Sequence, residues 1–131
     1  MILLDTHVLL WLAAEPARLS KAAASAIRRA LRSGGIAIAS ITLWEIVVMF
    51  AKGRLRSRGT AEASLEAILT GTGVSVREIT PTIATLATQF PADFPADPAD
   101  RLIAATARAE GFVLVTRDDR IRSSALLRTV W

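Results

Sequence analysis

The chain has 131 residues, 52% of them apolar, with no cysteine and a formal net charge of +4. That length supports one proper core, so residues 1–131 read as a single domain rather than two. The composition excludes a disordered tract, and the missing thiols exclude a disulfide framework or thiolate metal site, which fits a reducing cytoplasm.

The basic excess is almost all arginine, with Lys21 and Lys52 as the two lysines, and the sequence pI is 11.0. A guanidinium fork matches phosphate oxygens, so the charge suits a nucleic-acid substrate. A GC-rich coding sequence would produce the same bias without any such role.

Ile2-Leu3-Leu4 is an apolar run ending at Asp5, the pattern of a buried parallel strand. Thr6 to Ala14 reads as a helix stopped by Glu15-Pro16. Ser20 caps a helix through Arg32, and Gly34-Gly35 ends it. Ile36 to Ala39 forms a second strand, and Ser40 or Thr42 starts an apolar helix running to about Lys52. That segment is too short to span a bilayer and contains Glu45, and the N-terminus lacks a basic leader. No membrane partner is expected.

Gly53 to Thr60 reads as a polar, basic loop, followed by a helix from Ala61 to Thr70 closed by Gly71 and Gly73. Val74 to Ile79 is a third strand, and Thr80-Pro81 opens a helix to about Phe90. Pro91 to Pro98 holds three prolines and reads as an ordered loop. Asp97-Pro98 begins a helix through Glu110, capped by Gly111; Val113 to Val115 is a fourth strand, and Arg128 to Trp131 adds a fifth at the edge. Such alternation implies an α/β three-layer sandwich: a central parallel sheet of four to five short strands with helices on both faces. Sites in these sheets form outside the carboxyl ends of the strands.

Four acids fall at or toward that rim: Asp5, Glu45, Asp100 and Asp118. Asp5 and Asp118 each follow a strand, where the alternative role is a helix cap. Glu45 stands among Trp44, Ile46, Val47 and Val48, where a buried ion pair is the alternative to a ligand. Asp97 and Asp100 share DPADRLIAATA, and both are also explained by capping before and inside the first turn. Asp100 is assigned to the site and Asp97 is held as auxiliary. Hard oxygens with neither Cys nor a second His point to Mg²⁺ or Mn²⁺ and to phosphate chemistry. His7 is the single histidine, which excludes a His-based zinc site, and no nucleophile elbow or P-loop is present. Lys52, Arg54, Arg56 and Arg58 read either as a solvated turn or as a nucleic-acid contact.

Together, LLDTHVLLWL, SITLWEI, DPADRLIAATA and VLVTRDDRI resemble the PIN domain, specifically the VapC-like toxin ribonucleases of bacterial type II toxin–antitoxin systems. The resemblance spans essentially the whole chain. It implies a metal-dependent endoribonuclease inhibited by a small cognate antitoxin and usually dimeric. Its acidic quartet falls on Asp5, Glu45, Asp100 and Asp118, with Thr6, Ser40 and Thr116 as supporting hydroxyls. Asp5, Asp100 and Asp118 are then expected to hold one or two ions, with Glu45 orienting the attacking water. Two other classes compete: an RNA-binding protein that does not cut, and a receiver-type signalling domain, which would need a lysine that neither Lys21 nor Lys52 is placed to supply.

Overall fold

Apolar segments too short for helices pair here into one parallel sheet. The computed structural model describes all 131 residues, Met1–Trp131. Its strands are β1 (Ile2–Leu4), β2 (Ile36–Ala39), β3 (Ser75–Arg77), β4 (Val113–Val115) and β5 (Thr129–Val130). They lie in the order β3-β2-β1-β4-β5, and every pairing is parallel. The helices are α1 (Thr6–Ala14), α2 (Lys21–Ser33), α3 (Ile41–Ala51), α4 (Ala61–Thr72), α5 (Pro81–Ala87), α6 (Pro98–Glu110) and α7 (Asp119–Arg122).

Side chains alternate along each strand, and both faces of the central strands β1, β2 and β4 are buried. Leu3, Ala37, Ala39 and Leu114 pack in one layer with Ile83 of α5 and Ile103 and Ala104 of α6. Leu4, Ile36, Ile38 and Val115 pack in the other with Val8, Leu9, Ile27 and Ile46 of α1, α2 and α3. The three-layer sandwich is therefore present as expected, and each fully buried Leu or Ile contributes about 2 kcal/mol.

The sheet order has a functional consequence. After β1 the chain enters α1 in the second layer, whereas after β4 it enters α7, whose Ile121 belongs to the first. Diverging connections open a crevice at the carboxyl ends of β1 and β4, the usual ligand position in such sheets. The order also differs from the 2-1-3-4-5 arrangement of receiver domains, which removes that reading.

Some element ends differ from the sequence expectation. Gly71 lies inside α4, which runs on to Thr72 and stops at Gly73, where φ is 71°. Only Gly73 sits in the left-handed region at that end, so only it terminates the helix. The helix after Pro81 ends at Ala87 rather than near Phe90. There the Thr88 hydroxyl donates to the Thr85 carbonyl, and Phe90 leaves the helix to stack on Phe94 with ring centroids 4.2 Å apart. Asp118 caps α7, and Asp119 is its exposed first residue. No helix is long and apolar enough to cross a membrane.

Candidate active site

Asp5 emerges from the central strand, and its backbone N–H donates to the Val115 carbonyl at 3.0 Å. Of the two roles weighed for it, the helix cap is realised, and the second oxygen is engaged as well. Oδ1 accepts the Thr6 N–H at 2.8 Å as the cap of α1, and Oδ2 accepts the Thr116 hydroxyl at 2.8 Å. Thr116 Oγ1 in turn accepts the Asp118 N–H at 3.1 Å. One fully buried hydroxyl thus ties the ends of β1 and β4 together. Burial raises the Asp5 pKa above the usual carboxylate range, against the lowering effect of those donors.

Glu45 is held from the same side. The Thr6 hydroxyl donates to Glu45 Oε1 at 2.5 Å and stands 3.0 Å from Thr42 Oγ1. A hydroxyl has one proton to give, so Thr42 is the donor of the second bond. Thr6 and Thr42 are both buried, which leaves this pair no water to turn to. The Glu45 pKa is raised, first by burial and then by Asp5 and Asp97.

Asp100 is the third residue of α6, one turn inside the cap that Asp97 makes on the Ala99 N–H at 3.1 Å. It has no hydrogen-bond or ion-pair partner on the protein, and its carboxyl faces like charges. Burial comes first, then Asp5, Asp97, Glu45 and Asp118, and together they push its pKa up to about 7. Arg101, the next residue, is taken up elsewhere. Its guanidinium donates to the carbonyls of Phe90, Pro91, Phe94 and Pro95 and so fixes the loop leading into α6.

Asp118 caps α7 by accepting the Arg120 N–H at 2.9 Å, and the Arg120 guanidinium lies 3.8 Å away. It is the one member of the quartet with a cationic partner. Ser40 departs from expectation: it precedes α3 but makes no side-chain cap bond, and its hydroxyl joins no hydrogen bond. Thr42, expected only as a possible helix start, supplies a supporting hydroxyl to Thr6. The available signal was the spacing, since Thr42 and Glu45 are three residues apart on one helix face.

The four acids therefore converge, but they are not a closed chelate. No group of three acidic or histidine side chains stands at ion-holding distance. Asp5 spends both oxygens on Thr6 and Thr116, and Asp118 spends one on its helix, so full coordination requires these carboxylates to turn or to act through water. The donor chemistry nonetheless fits a hard divalent cation: oxygen ligands only, with excess negative charge in a partly buried cluster.

The sequence as a whole matches the family model for the PIN domain over residues 2–126. The chain belongs to the PIN-domain family. It is 41% identical to Ribonuclease VapC22 of Mycobacterium tuberculosis over 132 residues, covering 99% of this chain and 98% of the relative. Solved structures of similar fold include two toxin–antitoxin complexes. VapBC2 from Rickettsia felis, bound to a promoter DNA fragment, superposes with a TM-score of 0.73 at 18% identity, covering 98% of this chain and 97% of that one. DNA-bound VapBC from Salmonella typhimurium gives 0.71 at 22% identity, with the same coverage of both chains.

The basic loop of this PIN domain lies outside the acidic pocket. Lys52 caps the end of α3, and Arg54, Arg56 and Arg58 are exposed and pair with no carboxylate. Those three arginines line a groove of about 890 Å³ shared with Met49, Phe50 and Ile68, and the same groove reaches His7 and Trp11 on α1. His7 contributes to the electrostatics of Asp5 and Glu45, so the basic groove begins where the acidic pocket ends.

Thr116 offers a test that needs no activity assay. Thr116→Val keeps the shape but deletes the donor to Asp5 and the acceptor for Asp118. The expected loss is about 1–3 kcal/mol in urea unfolding, because two part-buried polar groups lose their partner. A loss below a few tenths would show that water replaces the hydroxyl.

Proposed function

We propose that this PIN-domain protein is a divalent-metal-dependent endoribonuclease, the toxin of a type II toxin–antitoxin module restrained by a cognate antitoxin. The observation that carries the reading is the convergence of Asp5, Glu45, Asp97 and Asp118 on Asp100, which no arginine neutralises. Carboxylates gathered in this way cost stability unless a cation shares them, and RNA hydrolysis uses such a cation.

Asp5, Asp100 and Asp118 would hold Mg²⁺ or Mn²⁺, which when bound neutralises charge on the phosphoryl group and makes water a better nucleophile. The protein's own residues supply orientation. Thr116 fixes Asp5 and the Asp118 backbone, and Thr6, itself held by Thr42, fixes Glu45. Glu45 orients the attacking water and accepts its proton, a role its raised pKa favours. Arg54, Arg56 and Arg58 are placed to grip RNA phosphates beyond the pocket. The cellular setting is a cytoplasm shared with the antitoxin, with the toxin pairing as a homodimer.

Labelled single-stranded RNA incubated with pure protein should be cut in Mn²⁺ or Mg²⁺ and stay intact in EDTA. Asp5→Asn should leave the far-UV spectrum unchanged and abolish cutting in either metal. Intact RNA with the wild-type chain in millimolar Mn²⁺, together with retained binding, would favour the non-cleaving RNA-binding alternative.

A further inference from the structure

His7 and Trp11 are four residues apart on α1 and share one face of the helix. Their rings stand 5.9 Å apart, so this face runs from the acidic pocket to the indole. Two guanidiniums lie over that indole, Arg18 at 4.8 Å and Arg117 at 5.9 Å from the ring centroid. Trp131, at the end of the edge strand, packs against the same indole at 5.6 Å. The two arginines differ in one respect. Arg18 has a carboxylate partner, Glu15 at 3.7 Å, whereas Arg117 has none.

Arg117 stands between Thr116, which bonds Asp5, and Asp118, which joins the acidic set. An exposed, unneutralised cation in that position lies one residue from two members of the site. Left free, its long side chain would sample many rotamers. Contact with the Trp11 face at 5.9 Å restricts it, and a guanidinium lying over an indole keeps its N–H fork free to donate.

We propose that Arg117, held against Trp11, is a substrate-positioning residue that binds an RNA phosphate flanking the bond to be cut. This deepens the nuclease reading and rests on it for the identity of the substrate. A bidentate grip by a pre-placed fork orders the strand across the pocket at little entropic cost. A protein segment with an acidic side chain could use the same fork; the location beside the hydrolytic carboxylates favours RNA.

The test is binding of a short mixed-sequence single-stranded RNA in EDTA over a salt series, so that no cleavage is required. Arg117→Ala should weaken binding about tenfold and lower the salt slope by about 0.7, the loss of one single-strand phosphate contact. Arg29→Ala on α2 changes the net charge equally and should shift affinity by less than about twofold. Arg117→Lys should keep the slope but recover only part of the affinity. Trp11→Phe, chosen to preserve packing, should weaken binding without any change in charge, and adding it to Arg117→Ala should cost little more. In Mn²⁺ the Arg117 variant should raise KM more than it lowers kcat.

Equal affinity and slope for Arg117→Ala and Arg29→Ala would overturn the proposal. So would normal RNA binding combined with weakened binding of a protein partner. The nuclease reading fails separately, by wild-type protein leaving RNA intact in Mn²⁺ while the binding differences in EDTA persist.

Discussion

Asp100→Asn is expected to cut RNA cleavage about a thousandfold and, in EDTA at neutral pH, to raise the melting temperature. The two effects have one cause. Asp100 has no donor of its own and senses Asp5, Asp97, Glu45 and Asp118, with a pKa near 7. At neutral pH the wild-type protein therefore carries either a repelled charge or a proton taken up against ordinary carboxylate chemistry. Asn keeps nearly the same shape and removes that conflict. Because the side chain is only partly shielded from water, the gain is on the order of 1 kcal/mol, and a few degrees in melting temperature. Loss of the metal ligand proposed at Asp100, worth several kcal/mol, should cut the rate by about a thousandfold. A catalytic carboxylate that destabilises its own fold would be separated from a structural one by calorimetry in EDTA alongside the cleavage assay. A lower melting temperature for the variant would mean that Asp100 holds α6 in place through its helix-dipole position instead.

The sheet and the placement of the four acids at its rim were legible because each left a local mark on the sequence. Asp5 and Asp118 close apolar runs, and Glu45 interrupts one, which period and neighbours alone reveal. Asp97 and Asp100 were ambiguous for a good reason: Asp97 caps α6, whereas Asp100 makes no cap and faces the other carboxylates. What stayed hidden depends on contacts distant in sequence. Thr42 looks like an ordinary helix-start hydroxyl until Thr6, 36 residues away, is placed beside it. Arg101 looks like one more basic residue until its fork meets four carbonyls of the loop before α6. Ser40 misled in the opposite direction, since a hydroxyl after a strand is a common cap, and here the helix begins without using it. Arg117 was visible as part of TRDD but carried no signal, because the indole beneath it comes from the other end of the chain.

Metal and pH should therefore act on this protein through the same groups, with opposite signs. Asp5, Glu45 and Asp100 have raised pKa values in the folded state, Asp100 from 3.8 to about 7. Between those values the folded chain binds more protons than the unfolded one, so stability declines as pH rises. The contribution is fully present below about pH 4 and is lost by the time Asp100 has ionised near pH 7. Divalent metal reverses the trend, because it binds the ionised carboxylates of the folded site alone. Melting curves in EDTA should fall across this window, and curves in millimolar Mn²⁺ should fall less or rise. The metal-induced shift is then small at pH 5 and largest above pH 7. Asp100→Asn should flatten the EDTA profile and remove most of the metal effect, which separates this carboxylate from the titration of the rest of the chain. Parallel profiles with and without Mn²⁺ would mean that the carboxylates around Asp100 do not share a cation, and the hydrolytic site would lose its physical basis.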